Sequence, residues 1–144
     1  MKLHLTRAAL AAAGLMVLIL PAKADAVADF YKGKRMEMLI GYSSGGGYDT
    51  YARMIANHWG KLIPGKPNMI SRNVPGAGSM RLMNELYNIR PKDGSVVGTV
   101  SRGIVHEELW GTKGVKFKSA DMTWIGSAND EVSVCVTWAT AGLN

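Results

Sequence analysis

Two short glycine-rich stretches carry the clearest chemistry in this sequence. Ser43-Ser44-Gly45-Gly46-Gly47-Tyr48-Asp49 follows an apolar run and precedes a helical pattern. Its glycines permit a tight turn and leave backbone N–H groups bare, and the helix start behind them contributes the positive end of its dipole. That combination is a main-chain anion site. Pro75-Gly76-Ala77-Gly78-Ser79 repeats the design. The chemistry is capture of a carboxylate or phosphate, with no bond made or broken. Either loop alone could equally be a tight connection without a ligand; two of them beside one crevice favour the bound anion.

Other chemistries find little support. The first loop lacks the lysine and following hydroxyl residue of a P-loop, and G-x-G-x-x-G is absent from both, which argues against nucleotides. His58 and His106 fall in separate helical patterns without metal-ligand spacing. Ser43 and Ser44 lack the G-x-S-x-G setting of a hydrolase nucleophile. Glu107 and Glu108 are adjacent, so on a helix they point about 100° apart and suit a solvated face. Cys135 stands in the apolar run Val132 to Val136 and reads as a buried structural thiol; a lone cysteine forms no internal disulfide. The methionines occupy core-like positions. No cofactor or metal is called for.

The elements that must position the loops follow an alternating order. Asp25 to Lys34 is a short lead-in helix or loop. Met36 to Tyr42 reads as a strand buried on both faces. Asp49 or Thr50 is placed to cap a helix with Tyr51, Ala52, Ile55, Trp59 and Leu62 at helical spacing, and Asp49 pairs with Arg53 one turn on. Pro64 to Pro67 stops it. Asn68 to Asn73 is a second strand, and Ser79 is placed to cap a helix with Leu82, Met83, Leu86 and Tyr87 on one stripe.

Pro91-Lys92-Asp93-Gly94 is a turn by composition, since proline presets its first corner and glycine closes it. Ser95 to Val100 is a third strand, Ile104 to Trp110 a helix, and Gly111 to Ser119 a loop. Met122 to Gly126 predicts a fourth strand and Glu131 to Trp138 a fifth. This order predicts an α/β fold with a mainly parallel sheet flanked by helices. Right-handed crossovers would bring both glycine turns to one sheet edge, where ligands of open α/β sheets bind.

The 144 residues, 47% hydrophobic, suffice for one packed domain. Lys2 and Arg7 precede the apolar run Ala8 to Leu20, and Pro21-Ala22-Lys23-Ala24 supplies an A-x-A cleavage site. Residues 1–24 therefore read as a cleaved signal peptide, too short in its apolar part for the roughly 20 residues of a spanning helix. The mature protein is expected in the periplasm. Removing Lys2, Arg7 and Lys23 turns the formal charge of +6 into 14 basic against 11 acidic residues, a net of +3. That mild, scattered excess argues against nucleic acid and weakly favours a small anion.

With these residues in view, the chain resembles the substrate-binding receptors of tripartite tricarboxylate transporters, also called Bug-type receptors. The resemblance rests on four stretches in order: Gly45-Gly46-Gly47-Tyr48-Asp49 with Ala52-Arg53; Asn73 with Pro75 to Ser79; Pro91 to Gly94; and Trp124-Ile125-Gly126-Ser127 followed by Val132 to Trp138. It implies the first lobe of a type II periplasmic-binding-protein fold, a hinged receptor that closes on a small organic carboxylate and presents it to membrane permease subunits.

The resemblance further implies that the two loops hold the carboxylate through backbone and bridging water. Carried over, the ligand-binding candidates are Ser44, Gly46, Gly47 and Asp49 in the first loop, Gly76, Ala77, Gly78 and Ser79 in the second, and Ser101 past the third strand. On this reading residues 25–130 form the first lobe and residues 131–144 begin a crossover toward a second lobe that the sequence lacks. One wall of a cleft binds weakly, so affinity is expected to be negligible until a second lobe is restored. Two other expectations compete: a small α/β hydrolase of anionic substrates working through Ser43, Ser44, Asp49 or Ser79, and a periplasmic sensory or interaction module.

Overall fold

A computed structural model describes residues 25–130 together with 132, 134, 136 and 138. The signal peptide expected over residues 1–24, Cys135, and alternate residues of the fifth strand expected over Glu131 to Trp138 lie outside the described residues; Val132, Val134, Val136 and Trp138, which are described, are irregular and exposed. Among the described residues no helix is long and apolar enough to cross a membrane.

The fold is α/β, a three-stranded parallel sheet flanked by helices. Its elements are α1 (Ala26–Tyr31), β1 (Arg35–Ile40), α2 (Gly47–Leu62), β2 (Asn68–Asn73), α3 (Met80–Asn88), β3 (Val96–Thr99) and α4 (Ile104–Leu109), with short 3-10 turns at Ala77–Ser79 and Ser119–Asp121. The strand order is β2-β1-β3, and both pairings are parallel. Ile40 is level with Asn73 on one side and with Thr99 on the other, so the three strands end flush. The loops that leave them share that edge.

Strand β1 is apolar almost throughout because both of its faces are covered. Side chains alternate across a strand. Met38 and Ile40 pack on Ala52 and Ala56 of α2, with Ile55 and Trp59 at the margin. Leu39, on the opposite face, packs on Val74 and on Leu82 of α3. Met80 and Met83 carry the second layer onward to Ile104 and Phe117. Arg90, just past α3, ties that layer to β1 through Glu37 at 2.9 Å and also pairs with Glu85.

The stripe of α2 is shifted from the one its large apolar residues predict. Its buried residues are Asp49, Ala52, Ala56 and Gly60, whereas Tyr51 is 47% exposed and Leu62 is 80% exposed. Small residues at that spacing let the helix lie close on the sheet, and the bulky Ile55 and Trp59 fill the flank. Helix α3 buries Leu82 and Met83, and Leu86 and Tyr87 pack beside them as the spacing predicts.

The fourth strand, predicted over Met122 to Gly126, does not form. These residues are irregular. Met122 turns inward onto the cluster of Met80, Met83 and Ile104, and the Trp124 indole donates to the Ser119 carbonyl at 3.0 Å. Those local partners replace a ladder. The turn at Pro91 to Gly94 is present, closed by the Asp93 carboxylate accepting from the Ser95 amide at 3.0 Å. At the start of α1, Asp25 accepts from Val27 at 3.1 Å, and the Tyr31 hydroxyl reaches the Gly94 carbonyl.

Candidate functional site

Every residue predicted to touch a ligand lies in one of three loops at the flush carboxyl edge of the sheet. In a 2-1-3 order the connection from β1 to β2 runs to one side and that from β2 to β3 runs back past β1 to the other, and open α/β sheets bind ligands at such a switch. The first loop runs from Gly41 into the first turn of α2, as far as Asp49, the second from Val74 to Ser79, and the third from Val100 to Gly103.

The first loop is held from within by Asp49. Helix α2 starts earlier than predicted: Gly46 is its N-cap, with no side-chain capping bond, and Asp49 sits in the first turn. Asp49 therefore does not cap. Its carboxylate, buried with the residue 4% exposed, instead reaches back to the Gly45 amide at 3.0 Å and, more loosely, to the Ser44 hydroxyl at 3.4 Å. The other oxygen accepts from Arg53 Nε at 2.9 Å and Asn73 Nδ2 at 2.7 Å. Thr50, the alternative cap, donates backwards to the Gly46 carbonyl at 3.1 Å.

These donors, Arg53 first, then Gly45 and Asn73, hold the Asp49 carboxyl well below the usual carboxylate range, against the opposing effect of burial. It stays ionised, and Arg53 balances its charge. The consequence is positional: Asp49 shapes the loop with both oxygens occupied. Ser44, Gly46 and Gly47 remain exposed, and open space surrounds both glycines. The first amides of α2 have no intrahelical acceptor and no side-chain cap.

The second loop is unusual in its backbone. Gly76 has φ 146°, and Ala77, Gly78 and Ser79 all adopt positive φ, at 47°, 58° and 72°. A left-handed conformation costs a residue with a Cβ about 1–2 kcal/mol, so Ala77 and Ser79 are strained. Ser79 is predicted to cap α3, but it makes no capping bond. Its hydroxyl is spent elsewhere: fully buried, it accepts from the Ser101 amide at 2.7 Å. Gly76, Ala77 and Gly78 are exposed beside it.

The third loop joins the other two. Ser101, half-buried, accepts from Gly103 at 3.3 Å through its hydroxyl and from Ile104 at 3.1 Å through its carbonyl. The next amide, that of Arg102, donates to the Tyr48 hydroxyl at 3.4 Å. Tyr48 stacks on Tyr42 with ring centroids 4.3 Å apart. Consecutive amides of the third loop thus meet hydroxyls from the second and first loops.

The crest so formed is an open surface of bare glycine backbone over a buried polar lattice. Tyr48 and Asn73, which fall within the motif stretches of the sequence but are not among the ligand-binding candidates, take part, and so do Gly41 and Tyr42, predicted only as the end of the first strand. For Asn73 the available signal was an amide side chain as the last residue of a strand, directly before Val74-Pro75. Two hollows lie off the crest: one by Gly60, Lys61, Pro67 and Asn68 at the far end of α2, the other by Met80, Arg81, Asn84 and Lys116 along α3, bordering the crest at Ala77. Neither includes the first loop.

Nothing in the crest pairs a nucleophile with a base. Ser44 faces a carboxylate far too acidic to take its proton well. His58 Nδ1 is engaged by the Met54 carbonyl, and His106 stacks on Trp110. Among the described residues no three of His, Cys, Asp and Glu gather as a metal site. Compared with known proteins, the chain matches no family model, no curated protein and no solved structure.

Proposed function

We propose that this chain is a solute-binding lobe, exported to the periplasm, that captures a small organic carboxylate on the crest of its sheet for membrane permease subunits. The observation that carries the reading is that two exposed glycine loops open on one sheet edge beside the uncapped start of α2. The type II periplasmic-binding-protein lobe and the tripartite tricarboxylate receptor family are part of the same proposal, resting on the ordered motifs of the sequence.

The physical case is electrostatic. A carboxylate set at the crest meets first-turn amides of a 16-residue helix, whose dipole favours negative charge there. Asp49, the acid in the first turn of α2, is neutralised by Arg53 and turned inward, so it does not repel the guest. Strain at Ala77 and Ser79 is the kind a fold keeps where a loop must present its backbone in one shape. The strongly acidic Asp49 carboxylate that Ser44 faces favours this reading over a hydrolase working through Ser44.

An open wall excludes little water, so in place of the negligible affinity expected of a single wall the preformed loops should hold a carboxylate weakly, at about 1 mM. The test is a titration of ¹⁵N-labelled protein with succinate and with citrate. The amides of Gly46, Gly47, Gly76 and Gly78 should move together and saturate. Signals that stay still at these four glycines, or that drift evenly over the whole surface, would remove the basis of the proposal.

A further inference from the structure

We infer that Asn73 is the positioning residue of the crest, setting the shape of the first glycine loop with its side chain while its backbone leads into the second. The inference rests on the carboxylate-receptor reading and deepens it by naming what fixes the two anion-holding loops relative to each other.

Asn73 is the last residue of β2, and the next amide, that of Val74, donates to the Ile40 carbonyl at 2.7 Å. The start of the second loop is thereby pinned to the end of β1. From the same residue, Nδ2 donates to the Tyr42 carbonyl at 2.9 Å and to Asp49 Oδ1 at 2.7 Å. Oδ1 accepts from Arg53 Nη2 at 2.7 Å. Both amide protons and the amide oxygen are engaged, and all three bonds run to the first loop or to the helix turn behind it.

The chemistry required at this position is narrow. Two donors must reach a carbonyl and a carboxylate while an acceptor takes a guanidinium, and only a primary amide of this length does so. Aspartate has the same size but cannot donate, and would set a second negative charge against Asp49. Asp49 then passes the constraint on, since its other oxygen holds the Gly45 amide immediately before the exposed Gly46 and Gly47. A half-buried strand end whose three side-chain bonds all run to the first loop and the helix turn behind it is the geometry of a clamp.

The experiment compares the full ¹⁵N-labelled chain with Asn73→Asp, Asn73→Ala and the core control Ala56→Gly, reading succinate affinity and exchange protection of the Gly45 amide. Both Asn73 variants should lose Gly45 protection and bind succinate more weakly by about tenfold or more, the equivalent of one charge-assisted hydrogen bond. Ala56→Gly should lower the melting temperature while binding as the wild type does. Wild-type affinity and Gly45 protection in Asn73→Asp would overturn the inference, as would an equal loss of affinity in Ala56→Gly. If the unaltered chain gives no succinate response, the receptor reading falls and the binding role of Asn73 falls with it.

Discussion

Ser79 sits directly over Gly41. A Cβ placed on Gly41 would overlap the Ser79 Cβ and lie 3.3 Å from the Thr99 carbonyl oxygen, whose acceptor the Gly41 amide already uses at 2.9 Å. The second loop can therefore descend onto the end of the central strand, where the Ser79 hydroxyl meets the Ser101 amide, only because residue 41 has no side chain. Close approach of this kind joins the three loops into one surface.

Gly41→Ala should accordingly act as an overpacking change, costing about 1–3 kcal/mol. Combining it with Ser79→Gly removes the opposing Cβ and the left-handed strain of Ser79, so the double variant should lose less than the two single changes summed. Urea unfolding of the four proteins measures this coupling. Strict additivity would show that the two residues do not contend for the same space.

The second loop predicts a pair of opposite effects. Gly78 has φ 58° and nothing within 4 Å of a built Cβ, so Gly78→Ala tests backbone strain alone and should destabilise by about 1–2 kcal/mol. Ala77, at φ 47°, already bears that strain. Ala77→Gly relieves it but frees the unfolded chain by about 0.4–1 kcal/mol, and the result should lie between neutral and mildly stabilising. Thermal melts of both variants give the two signs; a destabilising Ala77→Gly would contradict the strain.

Much of the architecture was legible in the sequence because period and punctuation agree with it. The apolar Met36 to Ile40, the glycine turns and the stripe of Leu82 and Met83 each specify their element locally. What local pattern could not give was the choice among polar partners. Asp49 and Ser79 have the residue types of helix caps, yet each finds partners outside its helix: Asp49 in Asn73 and Gly45, beside the Arg53 pairing that the helical spacing did predict, and Ser79 in the Ser101 amide 22 residues on. Met122 to Gly126 has strand composition, but composition does not supply a neighbouring strand, and the side chains there settle against Ser119 and the Met80 cluster instead. Tertiary partners override propensity in these places.

The same polar lattice sets how the protein responds to acid. Asp49 is held low by Arg53, Gly45 and Asn73, Asp93 by the hydroxyl and amide of Ser95, and Glu108 by the hydroxyl and amide of Ser119. In each the folded carboxyl releases its proton more readily than the unfolded one, whose pKa lies at about 4. Above that pH both states are ionised and the stabilisation is fully present. As pH falls below it the unfolded chain takes up protons first, and stability declines until the folded carboxyls protonate as well. The urea midpoint should thus hold steady from pH 7 to about 5 and fall from there toward pH 2. Asp49→Asn should start lower at pH 7, because an amide nitrogen would face the donors of Arg53 and Asn73, and should then lose less on acidification. An acid slope in Asp49→Asn as steep as that of the wild type would mean that the Asp49 carboxylate is not held ionised by the crest.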